Sequence, residues 1–245
     1  FDDVNIFDSD DVFGSGNELR PLPDSVIVLG AGVIGIEYAT MFGSLDIPCT
    51  LVDPRAEPLG FVDEEISQLL YGRMRKNDIE LLFDEMYEKV ELIGAERDPE
   101  ARVKVTLKSG RELEADSLLF ALGRLPNTDT IGLKEIGLDL AKRGHIEVND
   151  HYQSAIPSIY AAGDVIGFPS LASTSAEQGR VAAHHAIGKP VDWNWETLPF
   201  GIYTIPEISM VGETEQALRE KGVEYYTGTA LWRETARSEE RRVGK

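Results

Sequence analysis

The segment from Ser25 to Phe83 combines two patterns of hydrophobic and polar positions. Short apolar runs rich in β-branched residues, SVIVLG and CTLVD, predict buried strands. Between them, the helical spacing of apolar residues in VIGIEYATMFGSL predicts a helix. DEEISQLLYGRMRKND predicts an amphipathic helix with Asp63 at its N-cap, and IELLF predicts a further strand. The first strand, helix and second strand fit within about 30 residues, which predicts a Rossmann-like βαβ unit.

The pattern changes after this unit. EKVELIGAE, RVKVTLKSG and RELEADSLLFALG alternate polar and apolar residues and are separated by turns, which predicts an antiparallel meander. Its last strand becomes fully apolar at 117–122, as expected of a strand that re-enters the buried sheet. Further along, we expect strands at HIEVN, GIYTIPEISMVG and VEYYTGTALW, and helices at STSAEQGRVAAHHAIG and TEQALREKG, the last capped by Thr214. The first segment, 1–22, lacks periodicity and predicts a linker or surface excursion.

Composition narrows the possible partners of the chain. A net charge of −19 over 245 residues argues against nucleic acid or an anionic membrane surface as a partner. No apolar run approaches the roughly 20 residues that span a bilayer, and the acidic start does not fit a secretory signal. A lone cysteine, Cys49, excludes an internal disulfide and fits a reducing cytoplasm. No metal site is predicted, because the acidic stretch 8–11 lacks EF-hand spacing.

The strongest motif is Gly30-x-Gly32-x-x-Gly35, placed directly after a predicted strand and at the start of a predicted helix. The first glycine allows a tight turn, the second lets the backbone approach a pyrophosphate, and the third lets the helix pack close to the sheet. Backbone N–H groups at the helix N-terminus then face the anion. With its strand and helix context, the motif strongly favours dinucleotide binding over a simple tight turn.

Three charged residues accompany this loop. Asp53 ends the next strand about 20 residues on, where it would accept a hydrogen bond from a ribose 2′-hydroxyl and favour NAD. Arg55 could instead meet the 2′-phosphate of NADP, although an exposed turn residue is about as plausible. Glu37, placed in the first turn of the helix, would either gain from the helix dipole or point into the cleft, where it could contact a nicotinamide carboxamide or pair with a lysine. Spacing leaves both alternatives for Glu37 open.

Two more glycines follow apolar strands. Gly123 ends LLFALG, and ligands bind beyond the carboxyl ends of strands in α/β sheets, although a plain turn also fits. Its neighbour Arg124 could contact a phosphate or be simply solvated. In IYAAGDV, Gly163 precedes Asp164, whose carboxylate could bind a ribose or another hydroxylated chain. Position alone favours a turn residue for Asp164.

The motifs GAGVIGIEYA, LLFALGRLPNT, IYAAGDVIG and IYTIPEISMVG occur in the order and spacing of the flavoprotein disulfide reductases, or pyridine nucleotide-disulfide oxidoreductases. The chain resembles this family to about Arg237. The resemblance implies cofactor-binding roles for seven residues: Gly30, Gly32, Gly35, Glu37, Gly123, Gly163 and Asp164. Among the seven, the first three glycines hold the pyridine nucleotide pyrophosphate, Glu37 and Gly123 lie near the nicotinamide, and Asp164 hydrogen-bonds the ribityl chain of FAD. Asp53 and Arg55, assigned above from their position, complete the predicted cofactor site.

The resemblance also implies an α/β fold in which the Rossmann-like domain with its antiparallel β-meander is joined to part of an FAD-binding domain and the start of an α+β dimerisation domain. The expected divisions are a linker (1–22), an NAD(P)-binding domain (23–127), the C-terminal part of the FAD-binding domain (128–197), a truncated dimerisation domain (198–237) and an atypical tail (238–245). Family members begin with an FAD domain that does not precede Phe1, so we expect an incomplete chain of a cytoplasmic homodimer, with GIYTIPEIS poorly covered.

The function implied is an oxidoreductase that moves hydride from NADPH to NAD through FAD, without a redox disulfide and without a catalytic side chain in this segment. Cys49 is then a buried structural residue. One alternative is a disulfide reductase similar to dihydrolipoyl dehydrogenase. Another, of a different class, is a nucleotide-binding module without turnover, which would bind NAD(H) or NADP(H) weakly and purify without flavin.

Overall fold

The computed structural model describes residues 4–12, 22–96, 98, 100–191 and 199–231. The chain divides into two compact units, Phe1–Gly212 and Glu213–Lys245. Among the described residues, no helix is both long enough and apolar enough to cross a bilayer.

Among the described residues, the strands all lie in the first unit. They are β1 (Ile6–Asp8), β2 (Val26–Leu29), β3 (Cys49–Asp53), β4 (Ile79–Phe83), β5 (Tyr87–Ile93), β6 (Arg102–Leu107), β7 (Glu112–Ala115), β8 (Ser117–Phe120), β9 (Pro199–Ile202) and β10 (Ile208–Val211). The helices are α1 (Val33–Ser44), α2 (Glu64–Lys76) and α3 (Ala172–Ala186) in the first unit, and α4 (Glu215–Lys221) in the second.

Five strands form a parallel sheet in the order β1-β8-β2-β3-β4. The strands β5, β6 and β7 form a separate antiparallel meander, and β8 returns from it into the parallel sheet, as its apolar sequence predicts. The α/β fold class predicted from the sequence is confirmed. Because all five strands are parallel, the loops that follow them gather at one edge of the sheet, the carboxyl edge.

Alternating residues of the central strands supply two cores. Val26 and Val28 pack with residues of α1 and α2, including Ile36 and Met74. Their neighbours in the sequence, Ile27 and Leu29, pack on the other face against the meander, in a cluster that contains Val103, Val105 and Leu107. Strand residues are apolar at every position because both faces are covered, which explains the unbroken apolar run of SVIVLG.

Two predicted helix starts have the expected caps. Asp63 Oδ1 accepts a hydrogen bond from the backbone N–H of Glu65 at the start of α2. Thr214 Oγ1 accepts one from Ala217 at the start of α4, and α4 ends at Gly222 in the left-handed conformation, with φ +67°. Both caps supply acceptors for N–H groups that no helical carbonyl can reach.

Two predicted strands do not form, and one strand forms where a linker was predicted. HIEVN forms no strand, because its backbone groups bond outside any strand ladder: Ala141 N–H donates to His145 O in a local turn, and Ile146 N–H donates to Val165 O. The described part of VEYYTGTALW, residues 223–231, forms no strand and is almost entirely exposed. Conversely, the segment predicted as a linker contributes β1, where Phe7 is 2% exposed, paired in parallel with β8. A strand of three residues is too short to leave a periodic pattern.

GIYTIPEISMVG is two strands, not one. β9 and β10 pair as an antiparallel hairpin around a turn at residues 203–207. Ile202 and Ile208 are buried in the core cluster that also contains Phe42 of α1, so the expectation that this segment is poorly covered was wrong for them. Tyr203 and Ile205, in the turn, are exposed.

Candidate functional site

The glycine loop joins β2 to α1 at the carboxyl edge of the sheet. Gly30 N–H donates to Val52 O at 2.8 Å, and Gly30 has φ +101°, a conformation that favours glycine. A Cβ on Gly30 would lie 2.5 Å from Ala121 O, and a Cβ on Gly35 would overlap the carbonyl oxygen of Gly30. These two glycines therefore let three backbone segments approach more closely than any side chain allows.

Gly32 differs from the other two glycines, because a Cβ on it would meet no atom within 4 Å. It is the N-cap of α1, and its side chain cannot cap the helix. The first N–H groups of α1 thus face open space, and backbone donors at a helix N-terminus are a site for phosphate oxygens. A pyrophosphate bound by these donors would need this open space above Gly32.

Asp53, at the end of β3, is 1% exposed and connects this loop to the next strand. Its Oδ2 accepts a hydrogen bond from Ala31 N–H at 2.6 Å and one from an Arg55 Nη at 2.8 Å. Its Oδ1 accepts from both the backbone N–H and Nε of Arg55, each at 2.8 Å. Four donors use the acceptor positions of the carboxylate, which usually number about four.

These donors also decide the charge of Asp53. Burial by itself raises the pKa of the carboxyl, but the hydrogen bonds from the Arg55 side chain, Ala31 N–H and Arg55 N–H outweigh it and hold the pKa below its ordinary value. The side chain of Arg55 is 53% exposed, although its guanidinium forms this bidentate ion pair. Asp53 is therefore a buried, ionised carboxylate, and Arg55 covers it from the solvent side.

Glu37 lies in the second turn of α1, not the first, so its predicted interaction with the helix dipole is wrong: the first turn of α1 contains no acidic residue. Glu37 Oε1 accepts a hydrogen bond from Tyr203 N–H at 2.7 Å, in the turn of the β9–β10 hairpin. Burial raises the pKa of Glu37, and the bond from Tyr203 opposes this in part. On the same helix, Thr40 Oγ1 accepts from Ile205 N–H at 3.1 Å.

Gly123 follows β8, which lies next to β2, so it reaches the same edge as the glycine loop. It has φ +113°, and a Cβ on it would lie 3.3 Å from an Nη of Arg143. Arg124 forms a two-point ion pair with Asp10, with N···O distances of 2.9 and 3.4 Å. Asp10 and Asp164 both raise the pKa of Arg124, Asp10 more strongly, which places Asp164 within electrostatic range of this loop. Arg124 is thus an exposed residue, as its solvated alternative predicts, and it forms an ion pair with Asp10.

The turn that contains Gly163 and Asp164 packs against the helix α3. Gly163 N–H donates to Gln178 Oε1 at 2.7 Å, and Gln178 is 3% exposed. A Cβ on Gly163, whose φ is +82°, would lie 3.2 Å from Ser175 Oγ. The side chain of Asp164 is exposed, so its carboxylate can accept hydrogen bonds from an incoming hydroxyl group.

Comparison with known proteins identifies the family of this chain. The profile of the pyridine nucleotide-disulphide oxidoreductase family matches residues 3–179. The chain belongs to this family. It is 42% identical over 239 residues to the soluble pyridine nucleotide transhydrogenase of Mycobacterium bovis, covering 98% of this chain and 49% of that protein. The protein of the same name from Ectopseudomonas mendocina is 44% identical over 235 residues, covering 96% and 48%. The chain spans about half the length of these curated relatives.

Solved structures agree with this assignment. LpdA from Mycobacterium tuberculosis is 31% identical, with a TM-score of 0.82 over 91% of this chain and 48% of that one. The HOCl-induced flavoprotein disulfide reductase RclA from Escherichia coli has a TM-score of 0.83 over 97% and 52%, at 23% identity, a likeness of fold. The family resemblance expected from the sequence motifs is confirmed.

The family motif residues meet at the carboxyl edge in two groups. Gly30, Gly32, Gly35, Asp53 and Arg55 form one connected cluster, and Gly123 adjoins it through Ala121. Gly163 and Asp164 approach this edge from α3, near Arg124. Glu37 faces the hairpin instead.

The predicted site residues omit three contributors: Ala31, Gln178 and Arg143. The N–H of Ala31 is invisible in any residue pattern, because every residue except proline has one. Gln178 lies 15 positions after the glycine it binds, on a helix face that looks polar. Arg143 contacts Gly123 across a long turn, and no periodicity reports such a contact.

The described residues contain no cluster of three or more His, Cys, Asp or Glu side chains that could hold a metal ion. A cavity of about 410 Å³ lies where the strands begin, at the opposite edge, and its lining includes Gly43, Asp46, Arg73, Lys76 and Ile205. None of the nine residues predicted to bind a cofactor lines it.

Cys49 is 3% exposed in β3, which confirms that it is buried. Burial raises the pKa of its thiol to about 12, so the reactive thiolate is scarce at neutral pH. We expect Cys49 in the folded chain to resist iodoacetamide at pH 8, and to react fully once urea unfolds the chain. Mass spectrometry of the alkylated protein measures both states, and rapid labelling of the native chain would contradict the burial.

Proposed function

We propose that this chain is the nucleotide-binding part of an FAD-dependent oxidoreductase that transfers hydride from NADPH to NAD, as a soluble NAD(P) transhydrogenase. The observation that carries the proposal is the open, uncapped N-terminus of α1 above Gly32, directly beside the buried carboxylate of Asp53. The names of the relatives, which match at 42–44% identity, support the activity.

The glycine cluster would hold the pyridine nucleotide. Backbone N–H groups after Gly32 would bind the pyrophosphate, while Gly30 and Gly35 keep the loop close enough to the sheet for this. Asp53 and Arg55 would lie at the 2′ position of the adenosine ribose. Gly123 would line the path toward the nicotinamide, since β8 neighbours β2. Glu37 would lie near the nicotinamide, after exchanging its bond to Tyr203.

The second group would hold FAD, and the residues present fit it. Asp164 would present its exposed carboxylate to a hydroxylated chain, and Gly163, with φ +82°, lets the turn pack closely on Ser175, where a Cβ would be crowded at 3.2 Å from Oγ. Gln178 fixes the turn through the N–H of Gly163. Bound FAD would supply the hydride relay, while the chain supplies position. No side chain of this segment has to act as a nucleophile or transfer a proton.

A disulfide reductase is the second candidate, because RclA, a flavoprotein disulfide reductase, shares the fold. Such a reaction uses a pair of cysteines, and a redox pair encoded in the complete reading frame of the gene would favour this candidate. The third candidate is a module that binds nucleotide without turnover. We further propose a cytoplasmic homodimer and the divisions 1–22, 23–127, 128–197, 198–237 and 238–245.

Two preparations test the function. The 245-residue chain should bind NADH or NADPH, observed as a change in nicotinamide fluorescence on titration. Protein made from the complete reading frame of its gene should carry FAD and reduce thio-NAD with NADPH, and it should reduce lipoamide or a dithiobenzoate disulfide far more slowly. Faster disulfide reduction than hydride transfer would favour the second candidate. Nucleotide binding without either activity would favour the third.

A further inference from the structure

Arg143 has a backbone conformation that arginine rarely adopts. It lies in the short turn Lys142–Gly144 with φ +69° and ψ +12°, in the left-handed region. Side chains with a Cβ pay about 1 kcal/mol or more for this conformation, so it persists only where the surroundings impose it. A strained residue at the edge of a ligand site is a candidate for function.

The surroundings of Arg143 do impose it. Thr128, which is 3% exposed, donates its hydroxyl to Gly144 O at 2.8 Å. Gly144 N–H in turn donates to Ala141 O at 3.0 Å and closes the turn. Because Thr128 belongs to the loop that starts at Gly123, these bonds fasten the turn to that loop. The guanidinium of Arg143 then lies close to Gly123, with an Nη 3.3 Å from where a Cβ on Gly123 would be.

Two guanidinium groups therefore lie near Gly123, and they differ in whether a carboxylate forms an ion pair with them. Arg124 is neutralised by the two-point ion pair with Asp10. Arg143 makes no ion pair and no side-chain hydrogen bond with any of the residues that the structure describes, although the chain has a net charge of −19. In a chain so rich in carboxylates, a cation left unpaired at the carboxyl edge of the sheet is available to an incoming anion.

We propose that Arg143 is a phosphate-binding residue of the nucleotide site and contacts the pyrophosphate of the bound dinucleotide from the Gly123 side. This inference rests on the proposed nucleotide binding. Gly30 packs against Ala121, two residues before Gly123, so the guanidinium and the N-terminus of α1 flank the same stretch of the sheet edge. The helix supplies backbone donors from one side, and Arg143 supplies a charge from the other.

The test compares Arg143→Gln, Arg143→Lys and Arg124→Gln in the 245-residue chain, titrated calorimetrically with ADP-ribose at low and high NaCl. We expect Arg143→Gln to weaken binding about tenfold at low salt, the size expected for one charge-assisted bond. Its affinity should also depend less on NaCl than that of the unmodified chain, because a screened attraction is missing. Arg143→Lys should recover most of the affinity, since it restores the charge.

Arg124→Gln is the matched control, because it removes the same charge from the residue next to Gly123, where Asp10 already neutralises it. It should bind ADP-ribose within about twofold of the unmodified chain. Equal binding by Arg143→Gln and the unmodified chain would overturn the inference alone. So would an Arg143→Lys variant as weak as Arg143→Gln, because a purely structural role would then explain both. No ADP-ribose binding by the unmodified chain would overturn the proposed nucleotide binding as well.

Discussion

Replacing Gly35 by alanine is expected to lower the free energy of unfolding by about 3 kcal/mol, near the upper end for overpacking by a methyl group. The added Cβ would overlap the carbonyl oxygen of Gly30. Relief requires α1 or the loop to move, and the loop is fixed by the bond from Gly30 N–H to Val52 O at 2.8 Å. Urea unfolding followed by circular dichroism measures the loss.

Gly32→Ala is the matched control for this substitution, because it adds the same methyl group three residues earlier. No atom lies within 4 Å of the new Cβ, and Gly32 has φ −72°, which alanine adopts freely. We expect a stability change of less than about 1 kcal/mol, the size of an N-cap effect. Affinity for NADH should nevertheless fall at least about tenfold, because the methyl group occupies the space of the pyrophosphate.

The pair separates packing from binding at one loop. If Gly32→Ala bound NADH as tightly as the unmodified chain, the space above Gly32 would not be the nucleotide site. If Gly35→Ala were as stable as Gly32→Ala, the close approach of α1 to the loop would not be the reason for the third glycine. A calorimetric titration with NADH tests the role of Gly32, and the urea unfolding curve tests the role of Gly35.

The sequence predicts the parts of this fold that repeat a pattern over several residues. The apolar runs of β2 and β3 and the alternation of β5 to β7 each involve four or more positions, so their periodicity is visible. β1 has three residues and no period, and its place in the sheet depends on pairing with β8, more than 100 positions away. The hairpin at 199–211 looks like one strand because its turn, YTIPE, contains no glycine.

The candidate site divides in the same way. The glycine loop and Asp53 follow from spacing, because the motif encodes a strand, a turn and a helix N-terminus within one βαβ unit. Which partner Asp53 chooses does not follow, since Arg55, Ala31 N–H and a ribose hydroxyl all suit a carboxylate. That choice depends on side-chain direction at the end of β3, which only the folded chain determines.

The pairing of Asp53 with Arg55 also sets how stability should respond to acid. The pKa of Asp53 is lower in the folded chain than its ordinary value near 3.9, so its contribution to stability is present above that value. It is lost as the pH falls through the lower folded pKa. Removing Arg55 takes away donors that lower this pKa. The stability difference between the unmodified chain and an Arg55 variant should therefore be largest near neutral pH and shrink in acid.

Arg55→Ala is expected to shift the preference between NADP(H) and NAD(H) by about 100-fold toward NAD(H), since Arg–phosphate bonds are strong and charge-assisted. In the unmodified chain, Arg55 occupies acceptor positions of Asp53 that a ribose 2′-hydroxyl would need, and its exposed guanidinium faces the solvent side. NADP can use that guanidinium directly, whereas NAD must displace it. Without Arg55, the freed carboxylate accepts the hydroxyl of NAD and repels the 2′-phosphate of NADP.

Parallel titrations with NADH and NADPH measure the shift as a ratio of dissociation constants. Arg73→Gln is the control, because it removes an arginine charge at the opposite edge of the sheet, beside the 410 Å³ cavity, and should leave the ratio within about twofold. Asp53→Asn should change the ratio in the other direction, because a neutral amide neither repels a 2′-phosphate nor binds a hydroxyl as strongly as a carboxylate does. An unchanged ratio in both Arg55→Ala and Asp53→Asn would mean that the adenosine ribose does not reach the end of β3, and nucleotide selection would have to lie elsewhere on the carboxyl edge.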